Sequence, residues 1–199
     1  MRIREEIKAK PLSGELSDAL VRGLDISTKC IGWSLWRLNG GELYAFGKIL
    51  VPSNNLFEAM EYGRAEVLKV IAGEDVVCAG LEELNCFLGG DTTRLLCMMG
   101  GSIAMALFDQ GLHPNFLNTA MIKGKFGAMP QATVNKQLAD AEGWSKSTRV
   151  KRIMIHRVNE RLGTKFVFHS NKEKSDDDIA DGVAVGYTLL GLLREESTF

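Results

Sequence analysis

The chain lacks any long hydrophobic run. No apolar stretch among its 199 residues reaches the roughly 20 residues needed to cross a bilayer. Met1 to Ala19 is polar and mixed in charge, without the apolar region of a signal peptide. A cytoplasmic protein with no membrane partner is therefore expected. Cysteine is sparse. Cys30, Cys78, Cys86 and Cys97 show no Cys-x-x-Cys spacing and sit in apolar contexts, which argues for reduced core thiols over zinc ligands or disulfides. His113, His156 and His169 show no ligand spacing either. There is no internal repeat and no low-complexity segment. What remains is ordinary for a globular protein: 45% hydrophobic and 25% charged residues, in a length that suits one sizeable domain.

The chain also has almost no net charge, −1 overall, but the balance is uneven. Residues 123–174 hold 12 Lys/Arg against 4 Asp/Glu, a net of +8, whereas residues 1–122 carry −4 and residues 175–199 carry −5. A basic block beside acidic motifs suits a metal-dependent enzyme acting on a polyanion, with carboxylates for metal and a basic surface for phosphates. A solvated helical face would give the same run.

Acidic residues recur at the edges of three apolar runs: Gly23-Leu24-Asp25-Ile26-Ser27-Thr28, Val76-Val77-Cys78-Ala79-Gly80-Leu81-Glu82-Glu83, and Asp176-Asp177-Asp178-Ile179-Ala180-Asp181. Carboxylates are costly to bury without a partner. Several converging on one point are satisfied by a hard divalent cation bound through oxygen, so the pattern suggests a Mg²⁺ site for phosphoryl transfer. Asp25 could instead serve the turn at Ser27 and Thr28. Glu82 and Glu83 point to opposite faces of a strand, so only one can meet Asp25. Asp178 and Asp181 share a helix face, as do Asp177 and Asp181, and acids at a helix start also suit its dipole.

Residues 1–20 read as an extension, interrupted by Pro11 and Gly14, and residues 21–199 as the domain. Three strands come first, Val21–Ile26, Ile31–Trp36 and Glu42–Leu50, with Asn39-Gly40-Gly41 turning the second into the third. A helix over 56–71, a buried strand over 76–81, a Leu/Met-rich helix over 92–112 interrupted by Gly100-Gly101, and a short strand over 113–117 follow. Residues 124–146 read as irregular. Ser147 reads as the N-cap of a helix ending near Gly163, residues 165–168 as a brief extended piece, and 176–193 as a final helix. Trp33 and Trp36 suit the core better than base stacking.

This α/β plan, a mixed five-stranded sheet flanked by helices, is that of the ribonuclease H-like fold. The segments Gly23-Leu24-Asp25 with Ser27 and Gly32, Leu81-Glu82-Glu83, Asp178-Ile179-Ala180-Asp181-Gly182-Val183-Ala184, Ile122-Lys123-Gly124-Lys125-Phe126-Gly127 and the Lys151-Arg152-Ile153-Met154 helix resemble the RuvC-like Holliday junction resolvases, over roughly residues 21–193. The resemblance implies a metal site of Asp25, Glu82, Asp178 and Asp181, with Lys123 as a further catalytic residue. It implies DNA contacts by Lys123, Lys125, Lys151 and Arg152. It implies two Mg²⁺ ions per site, with Mn²⁺ able to substitute, and a homodimer that resolves four-way DNA junctions by paired symmetric nicks. The extra N-terminal residues and the long Ala128–Lys146 segment suggest a phage or divergent branch, acting in a bacterial host's cytoplasm if phage-encoded. The competing readings are another ribonuclease H-type nuclease, acting on branched DNA or RNA–DNA hybrids, and an actin-like ATP-binding domain.

Overall fold

The computed structural model describes residues 19–52, 55–83, 90–171 and 173–196. Cys86 and residues 1–18 of the expected 1–20 extension lie outside these, while Leu20 already belongs to the first strand. Three antiparallel strands open the fold: β1 (Leu20–Ile26), β2 (Cys30–Arg37) and β3 (Leu43–Leu50). Helix α1 (Leu56–Ile71) leads to β4 (Val76–Glu82), which runs parallel to β1. Helix α2 (Asp91–Asp109) leads to β5 (Pro114–Leu117), parallel to β4. The sheet order is β3-β2-β1-β4-β5. Four helices complete the chain: α3 (Thr119–Lys125), α4 (Thr133–Ala141), α5 (Arg149–Leu162) and α6 (Asp177–Glu196).

Strand alternation divides the core into two layers. Leu20, Leu24, Ile31, Leu35, Ala79 and Leu81 pack with Val67, Met99 and Ile103 on the α1/α2 face. Val21, Trp36, Val77 and Cys78 pack with Ile153, Ile179, Val183 and Leu189 on the α5/α6 face. Trp36 is thus a core residue, as its place in the strand pattern predicts.

Helix α6 approaches the sheet at backbone contact. A Cβ on Gly32 would stand 1.7 Å from the Asp178 carbonyl oxygen, one on Gly23 2.2 Å from Gly186 N, and one on Gly182 2.6 Å from the Gly32 carbonyl carbon. Glycine is required here by the close approach of two backbones. Ser34 fixes the seam by donating from Oγ to the Gly182 carbonyl (2.8 Å), while Trp36 Nε1 donates to Ser34 Oγ (3.0 Å). The same side of β1 and β2 that carries Gly23 and Gly32 carries Asp25, so the seam presses the first turns of α6 against that carboxylate.

Three expectations need correction. Residues 124–146 are not irregular, because they contain the end of α3 and all of α4. Gly127 and Gly143 follow these helices with φ of 63° each, so they terminate helices and do not prevent them. The N-cap of α5 is Thr148, not Ser147, and its side chain makes no capping bond. Gly163 ends α5 in the left-handed region, at φ 67°. Helix α2 runs unbroken through Gly100 and Gly101.

Candidate metal centre

Asp25 lies near the end of β1, between buried Leu24 and Ile26. The β1–β2 turn does not draw on it: Ser27 Oγ donates to the Cys30 carbonyl (2.7 Å) and accepts from Cys30 N (3.0 Å). The alternative role for Asp25 thus falls to Ser27. Glu82 is the last residue of β4 and shares the face of Gly80, which packs on Leu189 of α6. Its Oε1 accepts a hydrogen bond from Thr119 Oγ1 at 2.5 Å. Glu83 lies beyond the strand, exposed, and its Oε2 accepts from Asn118 Nδ2 (3.3 Å). Of the two glutamates, Glu82 faces the site.

The first turn of α6 supplies the remaining acids. Asp176 holds the entry to the helix, its Oδ2 accepting from Val167 N (3.0 Å). Lys48 Nζ steadies the same entry by donating to the Glu173 and Ser175 carbonyls, both at 2.6 Å. Asp178 and Asp181 lie on α6 where it crosses β1. Asp177, only 2% exposed, accepts a hydrogen bond through Oδ2 from Lys151 Nζ.

The electrostatics report the convergence. Burial pushes the Asp25 carboxyl well above the usual carboxylate range, and the charges of Asp181, Glu82 and Asp178 push it further, with Lys151 partly offsetting them. Burial likewise raises Asp181 to about 7, reinforced by Glu82 and, more weakly, by Asp177 and Asp178, against the opposing pull of Lys151. Burial works against the Lys151 ammonium, but the hydrogen bond and charge of Asp177, joined by Asp178 and Asp181, outweigh it and keep it above the ordinary lysine value. Four acids from three separate elements therefore feel one another, with one lysine among them.

The donor set suits a hard divalent cation: all oxygen, concentrated negative charge and, at Asp25 and Asp181, buried carboxyls that resist ionisation for want of a counter-charge. Among the described residues, no three His, Cys, Asp or Glu side chains are gathered tightly enough to hold an ion as they stand. Mutual repulsion keeps like charges apart, and a cation would reverse that repulsion, so the residues fit the ion in the chemistry of their donors.

A cleft of about 180 Å³ opens beside these acids, with Glu82, Asp181, Thr119, Lys123 and Lys151 around it and Ile122 and Met154 among its apolar residues. A larger hollow of about 510 Å³ lies at the other end of the sheet, below the end of α1. Its residues include Lys69, Glu74 and Gln110 but none of the four acids, so the smaller cleft is the chemical one.

The basic residues expected to touch DNA separate into two groups. Lys123 and Lys151 border the cleft. Lys125 instead pairs with Glu195 at 2.6 Å, about 20 Å along α6 from Asp181 at helical rise. The Arg152 guanidinium lies over the Phe168 ring at 4.6 Å and the Trp144 ring at 6.0 Å, a packing role for α5. His156 stands edge-on to the same Trp144, 6.4 Å away. Thr119 was not anticipated. The only signal was the Asn118-Thr119 pair after a strand, where Asn118 Oδ1 caps α3 by accepting from Ala120 N (2.8 Å).

A scan against protein-family models finds no match for the chain, and a search of curated proteins finds none. Solved structures do match. Thermus thermophilus RuvC superposes with a TM-score of 0.62 at 16% identity, covering 89% of this chain and 96% of that one. The fold is that of RuvC. The T. thermophilus RuvC solved in complex with a Holliday junction substrate gives a TM-score of 0.61 at 15% identity over 88% of this chain and 96% of that one. The yeast mitochondrial Holliday junction resolvase Ydc2 gives 0.55 at 11% identity over 92% and 82%. The RuvC fold therefore spans most of the chain, as the order of the sequence motifs predicts. No helix among the described residues is long and apolar enough to cross a membrane.

Proposed function

We propose that this chain is a Mg²⁺-dependent endonuclease that resolves four-way DNA junctions. What supports the reading is a RuvC fold whose cleft is lined by Glu82 and Asp181 with Lys123 and Lys151, and whose Asp25 carries the charge influence of Asp181, Glu82 and Asp178. RuvC and Ydc2, the proteins of like fold, are named as acting on Holliday junctions or solved bound to one.

Asp25, Glu82, Asp178 and Asp181 would hold the cation, Mg²⁺ with Mn²⁺ as a substitute, and Thr119 orients Glu82 by its hydrogen bond. Two such ions, when bound, supply an activated water and charge stabilisation of the leaving 3′ oxygen. The two lysines meet the non-bridging phosphate oxygens, where negative charge builds as the bond breaks. Asp25 and Asp181, protonated more readily than ordinary carboxyls, reach full charge once a cation offsets their neighbours.

The active form is a homodimer, whose twofold symmetry suits a substrate of near-twofold symmetry and yields two symmetric nicks. Met105 and Phe108, 58% and 53% exposed on α2, offer apolar surface for that contact. The test is a supercoiled plasmid extruding a cruciform. Paired cleavage within the cruciform's lifetime gives linear plasmid. Persistent nicked circles, with a monomeric mass in solution, reject paired resolution and leave a single-strand-nicking nuclease of the same fold.

A further inference from the structure

The acids Asp177 and Asp178 are adjacent, and either shares a helix face with Asp181. Their surroundings differ. Asp178 acts on Asp25 across the α6–β1 seam. Asp177 is buried and holds Lys151, a residue 26 positions earlier on α5. The Lys151 side chain is 44% exposed and borders the cleft with Glu82 and Asp181. One side of its ammonium is thus fixed to the protein while the rest faces the space a phosphate would enter.

We propose that Asp177 is a positioning residue: it anchors the Lys151 ammonium at the mouth of the cleft, for the scissile phosphate, and does not hold the metal. This rests on the nuclease reading above. A lysine stem has four flexible carbons and three rotatable donors, so an unanchored Lys151 would spread over many positions. Buried carboxylate and half-buried ammonium satisfy each other, and truncating either leaves a desolvated partner. Asp177 Oδ2 takes the Lys151 hydrogen bond in an ion pair whose carboxylate is buried. Its second oxygen, Oδ1, is buried without a hydrogen-bond partner among the described residues, which leaves Oδ2 as the working atom. The Lys151 charge also opposes the repulsion felt by Asp25 and Asp181, so one ammonium serves both the resting site and the incoming phosphate.

Three measurements on Asp177→Asn, Lys151→Met, their double variant and Asp178→Asn decide the matter. Calorimetric titration of Mn²⁺ without DNA should leave Asp177→Asn within about threefold of the unaltered protein, while Asp178→Asn loses at least about tenfold in affinity. Acetic anhydride labelling, read by peptide mass spectrometry, should become several-fold faster at Lys151 in Asp177→Asn and unchanged at Lys165. Single-turnover cleavage of a four-way junction should fall by about tenfold or more in each single variant. The double variant should be no slower than Lys151→Met alone, because the two residues act as one unit. Loss of Mn²⁺ binding in Asp177→Asn would make Asp177 a ligand and overturn the proposal. Unchanged Lys151 labelling, or single losses that multiply in the double variant, would overturn it as well. If the unaltered protein cuts no junction while Mn²⁺ binding and labelling come out as expected, the nuclease reading and the phosphate-facing role fall together, and the anchoring of Lys151 stands.

Discussion

Replacing Gly32 with Ala tests the seam that builds the site. The added Cβ would lie 1.7 Å from the Asp178 carbonyl oxygen and 2.4 Å from its carbonyl carbon, where ordinary contact begins near about 3.4 Å. Neither atom is the end of a flexible side chain. The opposing glycine has no room to give either, since a Cβ on Gly182 would stand 2.8 Å from Trp33 N. The first turn of α6 must therefore retreat by roughly 1.5 Å or β2 must bend, a cost at the upper end of the roughly 1–3 kcal/mol typical of overpacking. For a domain of this size that lowers the melting temperature by about 6–12 °C. Asp178 and Asp181 ride on the displaced turn, so cleavage should fall by about a hundredfold even where the protein stays folded. Gly101→Ala is the control. That position is exposed within α2 with nothing within 4 Å of the added carbon, and the change should stabilise by about 0.5–1 kcal/mol. The readouts are thermal melting by circular dichroism and single-turnover cleavage. A Gly32→Ala protein melting within about 1 °C of the original with unchanged cleavage would refute the backbone-contact account of the seam.

Stability of the metal-free protein should fall as pH rises. Asp181 titrates near 7 when folded and near 3.9 when unfolded, so from about pH 4 to 7 the folded state binds more protons and loses that advantage as it ionises. Melting across this range should flatten in Asp181→Asn, and an unchanged slope would place the titration elsewhere. Arg22 is fully buried on the α1/α2 face. Its NH1 donates to the Val67 carbonyl (2.8 Å), while Nε and NH2 have no partners among the described residues, and burial pushes its pKa down to about 9. Arg22→Met should therefore stabilise by roughly 1–3 kcal/mol in urea unfolding, and a loss of stability would mean that the guanidinium is needed. Charge removal at Lys123 should weaken junction binding and lower its salt slope by about one. Lys125→Gln and Arg152→Gln should change the slope less, since Glu195 and the Phe168 and Trp144 rings already engage them.

The strands and the long helices were legible because burial on one face imposes a period on the residues. Helix α1 runs over 56–71 as its apolar spacing predicts. The four candidate acids stood out in the sequence because each interrupts or follows an apolar run, where a carboxylate is costly. The choice of Glu82 over Glu83 follows from strand alternation together with the resemblance, and the structure adds the reason: β4 ends at Glu82 and turns Glu83 outward. Helices α3 and α4 were hidden because Gly124, Gly127, Pro130 and Gly143 look like breakers. Two of those glycines are terminators, and Gly124 is carried on an exposed position of α3. Part of what holds α4 is long-range: buried Asn135 donates from Nδ2 to the Gly127 and Met129 carbonyls and accepts at Oδ1 from Arg157 of α5. No local pattern announces such a bond. The Lys151–Asp177 pair was hidden for the same reason, as were the Lys125–Glu195 pair and the stacking of Arg152 on Phe168, because composition does not say which charges the fold engages.

The central claim is that the cleft beside Asp25, Glu82, Asp178 and Asp181 cuts branched DNA with a divalent metal. The most direct measurement is single-turnover cleavage of matched four-way junction, fork, RNA–DNA hybrid and linear duplex with Mg²⁺, by the unaltered protein and by Asp25→Asn, Glu82→Gln, Asp178→Asn and Asp181→Asn. The account predicts preferential cutting of the junction, 5′-phosphate and 3′-hydroxyl ends, and at least about a thousandfold loss in each variant with junction binding retained. Equal cutting of all substrates, preference for the hybrid, or near-normal cleavage by any of the four variants would contradict it.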